Sequence, residues 1–156
     1  MTRYSRFRLA LTLAAIAVAT VPQTACSRVM LISSYDEQID QSSTTLQKRM
    51  DAFLTMLAEK AGTPAAAYDA NKAFYSDYAV DLRSLTIRAE SWPKNGLTEK
   101  QLALMSANLE ELRKAHESGP ISAEAVPTFR DLFNQGWRAI LALELAKKRG
   151  ETPSEK

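Results

Sequence analysis

EQIDQSSTTLQKRMDAFLTMLAEKAG, residues 37–62, sets Ile39, Leu46, Met50, Phe53, Leu54, Leu57 and Ala61 at the three- and four-residue spacing of one helical face. Just before it, Ser34-Tyr35-Asp36-Glu37 reads as a capping box, Ser34 accepting from the Glu37 amide and Glu37 reaching back. Asp36 and Glu37 also put negative charge where the helix dipole is positive. Gly62 supplies the left-handed residue that closes the segment. A stretch with caps, stripe and stop all in phase belongs to a helix with one buried side, so the fold needs other helices to cover it.

Three more such stretches follow. Thr63-Pro64 reads as an N-cap and first helical residue. Tyr68, Tyr75, Tyr78, Leu82, Leu85, Ala89 and Trp92 then form a stripe, with Asn71 filling one slot and Phe74 widening it. Pro93 stops this helix and Lys94-Asn95-Gly96 is turn chemistry. Thr98-Glu99-Lys100-Gln101 predicts a second capping box, with Leu97 and Leu102 as its hydrophobic staple. Leu102, Met105, Leu109, Leu112 and His116 continue the third stripe to Ser118-Gly119-Pro120. Ser122 is positioned to cap the fourth helix, in which Pro127 must either kink the first turns or move the start. Val126, Phe129, Phe133, Trp137, Ile140 and Leu141 form its inner face, and Lys147-Lys148-Arg149 with Gly150 supply stop signals. No strand pattern interrupts the four. The expected fold is therefore all-α, an antiparallel up-down-up-down four-helix bundle over residues 34–150, with a dimer that swaps helical hairpins as its structural rival.

The residues ahead of the bundle carry a different message. Arg3, Arg6 and Arg8 precede LALTLAAIAVATV, residues 9–21, the basic and apolar parts of an export signal. The apolar run is shorter than the ~20 residues a membrane span needs. It is followed by VPQTAC, which ends at Cys26, the chain's one cysteine. This segment resembles the lipobox of bacterial lipoproteins. The resemblance implies that residues 1–25 are a signal peptide cut before Cys26, that Cys26 is acylated, and that residues 26–33 form a tether. It places the domain in the periplasm on the cell envelope, and Ser27 favours the outer membrane over the inner. Gln23 departs from the apolar residue usual at its position, and Ala17-Val18-Ala19 is a competing cleavage site for ordinary signal peptidase. The phrases ISSYDEQIDQSSTTLQKRMDAFL, KAFYSDYAVDLRSL and LELAKKRG resemble a group of small uncharacterised proteobacterial lipoproteins, which implies export and no particular activity.

Composition narrows the chemistry. Of 156 residues, one is cysteine and one histidine, too few for a zinc, iron–sulfur or covalent haem site within a chain. The whole sequence has 20 basic and 18 acidic residues, but loss of the signal removes three arginines, leaving 17 against 18. A nucleic-acid surface would need a clustered basic excess, so none is expected. His116 is in phase with the core stripe, and the expected role is a satisfied, partly buried side chain near a helix end. Its alternative is non-covalent haem ligation with Met50 or Met56, because Met105 stands ~16 Å away along the same helix. Asp77 with Asp81, and Asp36 with Asp40, have the spacing of a divalent-ion corner, but no Glu-x-x-His motif accompanies them. Arg83 and Arg88 are expected to neutralise neighbouring acids.

These readings predict a lipid-anchored protein that is not an enzyme, has no cofactor and acts by protein binding or scaffolding. The candidate partner face is Tyr68, Phe74, Tyr75 and Tyr78, with Phe74 expected to stand outside the stripe; the loops around 62–64 and 118–121 are a second candidate. The partner is an envelope protein or, in a homodimer, a second copy. The alternative is a periplasmic carrier holding a small apolar ligand or haem within the bundle. The Lys147-Lys148-Arg149 cluster should share one end with the tether and the 93–97 turn, and is a candidate membrane-facing surface. Residues 151–156 are expected to be a frayed tail.

Overall fold

The computed structural model describes residues 32–151, with the side chain of residue 151 left undescribed. The expected signal peptide, Cys26, most of the expected tether and residues 152–156 lie outside the described residues. Four helices make up the domain: α1 (Glu37–Glu59), α2 (Tyr68–Glu90), α3 (Gly96–Ser118) and α4 (Val126–Glu151), with a 3-10 turn (Pro64–Ala66) between α1 and α2. Successive helices run antiparallel, and α4 closes the ring by packing along α1. This is the all-α four-helix bundle that the four stripes predict.

The expected inner faces converge. Met50, Leu54, Tyr78, Leu112, Phe133 and Trp137 are among the buried residues at the bundle axis. At ~25 cal/mol per Å² of apolar surface removed from water, each large side chain contributes roughly 1.5–3 kcal/mol. Gly136 allows α4 to lie close to α3, since a Cβ there would fall 2.2 Å from the Met105 Sδ.

The ends of the helices depart from expectation, and tertiary contacts explain why. Asp36, not Ser34, caps α1: its carboxylate accepts from the amides of Gln38 at 2.8 Å and Ile39 at 3.2 Å. Asp36 wins because Arg88 of α2 reaches the same carboxylate, 2.9 Å away. Ala61 lies past the end of α1 and is exposed, while Gly62 is left-handed as expected, with φ of 77°. Pro64 opens the 3-10 turn rather than α2, and Asn71 ties that turn to α2 by donating to the carbonyls of Ala65 and Ala67. Trp92 falls beyond α2 and is 41% exposed. The second capping box and its staple are absent: α3 begins three residues early, behind Asn95 instead of Thr98, and Leu97 is 55% exposed. Pro127 moves the start of α4 to Val126, and Gly150 lies inside that helix instead of ending it. Ser122 Oγ accepts from the Ala125 amide in the turn before α4.

Candidate functional site

At the N-terminal end of the bundle, where the expected tether would attach, helix polarity brings together the start of α1, the α2–α3 turn and the last turns of α4, as the topology requires. A buried polar network joins them. Lys147, with 4% of its surface exposed, donates to Glu144 Oε1 at 2.5 Å, Asn95 Oδ1 at 2.7 Å and Thr98 Oγ1 at 3.2 Å. The fully buried Glu144 also accepts from the Asp36 amide at 3.2 Å. Ser33 Oγ donates to Asn95 Oδ1 at 2.9 Å, and Asn95 Nδ2 donates to the Ala89 carbonyl at 2.9 Å. Each charge is thereby paired in a place where an unpaired one would be costly. The membrane-facing cluster is corrected accordingly. Lys147 points inward, and only Lys148 and Arg149 are left on the surface, the former 4.9 Å from the centre of the Tyr35 ring.

Beside this network, Asp36 is favoured in its charged form by its own partners. Burial pushes its carboxyl upward, but the Arg88 guanidinium and the Ile39 and Gln38 amides outweigh that and hold it below the usual aspartate value.

At the opposite end, the α2 rings pack inward. Phe74 stacks on Phe53 with ring centres 3.7 Å apart, and Tyr75 meets Phe53 edge-on. Phe74 is therefore half-buried in the cluster instead of standing outside it. Tyr75 and Tyr78 are buried, so neither stands out from the α2 surface as an exposed ring. The Tyr78 hydroxyl donates to the Leu46 carbonyl at 3.0 Å, and burial pushes both phenols well above their ordinary pKa. Of the four expected face residues, Tyr68 alone stays on the rim.

His116 is fully buried here, where a partly buried ring at a helix end was expected. Its Nε2 lies 2.8 Å from the Ala66 carbonyl, which can only accept, so Nε2 carries the proton. In the neutral ring Nδ1 then accepts from the Tyr75 hydroxyl at 2.7 Å. Both nitrogens are committed, and iron ligation would have to break one of these bonds. Met50 and Met105 are core side chains. The aspartate pairs do not form metal corners: Asp81 binds Arg49 and Asp36 binds Arg88. Among the described residues no group of three or more metal-ligating side chains converges.

An open groove of about 720 Å³ runs between α2 and α3, starting at Tyr68. Tyr75, Leu82 and Leu109 contribute its floor, and Lys72, Arg83 and Arg113 its cationic rim. Glu110 is the acid in this lining, and Arg113 grips it bidentately at 2.8 and 2.7 Å while also bonding Glu117. That grip lowers the Glu110 carboxyl pKa. Arg83 makes no ion pair among the described residues, contrary to its expected role beside the α2 acids. A second groove of about 550 Å³ between α1 and α2 is lined by the Arg49–Asp81 pair and by Arg88, whose charges are matched.

Polar residues in the core phase were the signal that sequence reading passed over. Glu144 and Lys147 each lie seven residues beyond Trp137 and Ile140, on the same inner face. The α2–α3 groove had no such signal. Compared with models of known families, with characterised proteins and with solved structures, the chain gives no match.

Proposed function

We propose that this chain is a lipid-anchored envelope protein whose helical domain acts by binding another protein, with the α2–α3 groove as its recognition surface. The observation that carries this reading is an open, apolar-floored groove with an aromatic end and a cationic rim. The filled core supports surface recognition over carriage of a ligand inside the bundle, because the large side chains and the Gly136–Met105 approach occupy the axis. Commitment of the one imidazole to two structural hydrogen bonds supports a non-catalytic role.

The anchor half of the proposal rests on the lipobox resemblance at Cys26. Acylation there would hold the domain near the bilayer. Cys26 stands seven positions before Ser33, which is locked into the buried polar network, so the span is at most ~25 Å. Two or more acyl chains are sufficient for stable attachment. The test is metabolic labelling with a fatty acid, followed by fractionation. The intact chain should be labelled and sediment with membranes, and Cys26→Ala should lose both properties. Continued labelling of the Ala variant would refute the anchor.

A further inference from the structure

We infer that the α2–α3 groove receives an acidic, extended polypeptide segment, an inference that rests on the protein-binding reading above and names the chemistry of the partner. Lys72, Ser76, Ala79 and Arg83 follow one another at steps of four, three and four residues, so they form one stripe along the groove wall. The two cations at its ends are eleven residues apart, about 16 Å along the helix. Between them stand Ser76 and Ala79, small enough for a foreign backbone to approach closely. Arg83 has no ion-pair partner among the described residues, and the Lys72 side chain is 67% exposed with its nearest carboxylate, Asp69, 4.0 Å away. On the facing wall, the Glu110 charge is already taken up by Arg113, so it opposes an incoming acid only weakly.

Spacing selects the occupant. A compact anion reaches one of the two cations and leaves the other unmet. An extended chain advances about 3.3 Å per residue with side chains alternating between its two faces, so two acids four or six residues apart point to the same wall and, with the reach of the long Lys72 and Arg83 side chains, meet both cations at once. Apolar residues between them would lie over Leu82 and Leu109 on the floor. A flat bilayer cannot follow a concave groove. Nucleic acid would meet a domain whose remaining charge is nearly balanced, whereas a short acidic segment meets only this rim.

The experiment is selection from a displayed library of random dodecapeptides on the full chain held in detergent micelles. The expected result is enrichment of peptides with two acids four or six residues apart. Lys72→Gln and Arg83→Gln should each weaken a selected peptide about 2–5-fold, the range for exposed charge pairs. The double charge reversal Lys72→Glu/Arg83→Glu should select basic peptides instead. Ala79→Trp, which fills the groove, should select none of the acidic class. Failure to enrich acids, or the same enrichment on the charge-reversed chain, overturns the inference. So does binding to anionic phosphatidylglycerol vesicles that depends on Lys72 and Arg83 while no peptide competes. If Ala79→Trp also separates the chain from a cellular partner that lacks an acidic segment, the inference fails while the protein-binding reading stands. If that variant leaves cellular association unchanged, the groove reading itself fails.

Discussion

Lys147 and Glu144 make a buried ion pair whose worth depends on what replaces it. Removing one member strands the other inside the protein, so Lys147→Met or Glu144→Gln should each destabilise the domain by about 3–5 kcal/mol in urea unfolding. The double change Glu144→Leu/Lys147→Met should recover most of that loss, because an apolar pair needs no compensation. Double-mutant losses that simply add would contradict the paired account. His116 follows the same physics with hydrogen bonds. His116→Phe leaves the Tyr75 hydroxyl and the Ala66 carbonyl without their partner, and should cost about 2–4 kcal/mol by the same measurement. A loss below about 0.5 kcal/mol would mean the two bonds contribute nothing net.

Among the elements, α1 shows how a helix start is decided. Asp36 caps it with help from Arg88, so Asp36→Ala should cost about 1–2 kcal/mol and Ser34→Ala almost nothing. The Asp36 carboxyl titrates lower in the folded chain than in the unfolded one. Its contribution is therefore complete above about pH 4 and is lost as pH falls through the folded value. Arg88 is nearly half exposed, which screens the pair, so Arg88→Ala should cost about 1 kcal/mol at pH 7 and progressively less below pH 4. Urea midpoints measured against pH would check this, and a gap that stays constant into acid would contradict it. The α3–α4 contact gives another test at this scale. Gly136→Ala improves helix propensity but drives a methyl into Met105, a fully buried side chain with little room to move. A net loss of about 1–2 kcal/mol is expected from thermal unfolding, and a gain would show that Met105 yields freely.

The four helices were legible because an apolar stripe repeats at the helical period whatever surrounds it. Their ends were less legible, because caps are chosen by neighbours distant in sequence. Thr98 looks like a cap, but Lys147 claims its hydroxyl 49 positions away. Asp36 gains its advantage over Ser34 from Arg88, on another helix.

For the whole molecule, the two ends of the bundle have different tasks. The end where α1 begins is locked by Ser33, Asp36, Asn95 and the Glu144–Lys147 pair. The far end is packed with Phe53, Phe74, Tyr75 and His116. Of the aromatic face read from sequence, the structure leaves Tyr68 on a groove rim, beside cations the sequence did not single out as a site. Helical spacing predicts which residues face inward, but which outward strip becomes a groove depends on how far apart two neighbouring helices settle. Arg83 could not be recognised from its own surroundings for that reason.

The central claim is that this groove holds another protein in the envelope. The most direct measurement places an aromatic photo-crosslinking amino acid at Tyr68, where it replaces ring with ring at the groove's end, in the full chain expressed in its cells, with Leu145 on α4 as an exposed reference position. The account predicts a discrete protein adduct from position 68 that disappears when Lys72 and Arg83 are reversed to Glu, with no such adduct from position 145. Equal yields from both positions, or no protein adduct from position 68, would contradict it.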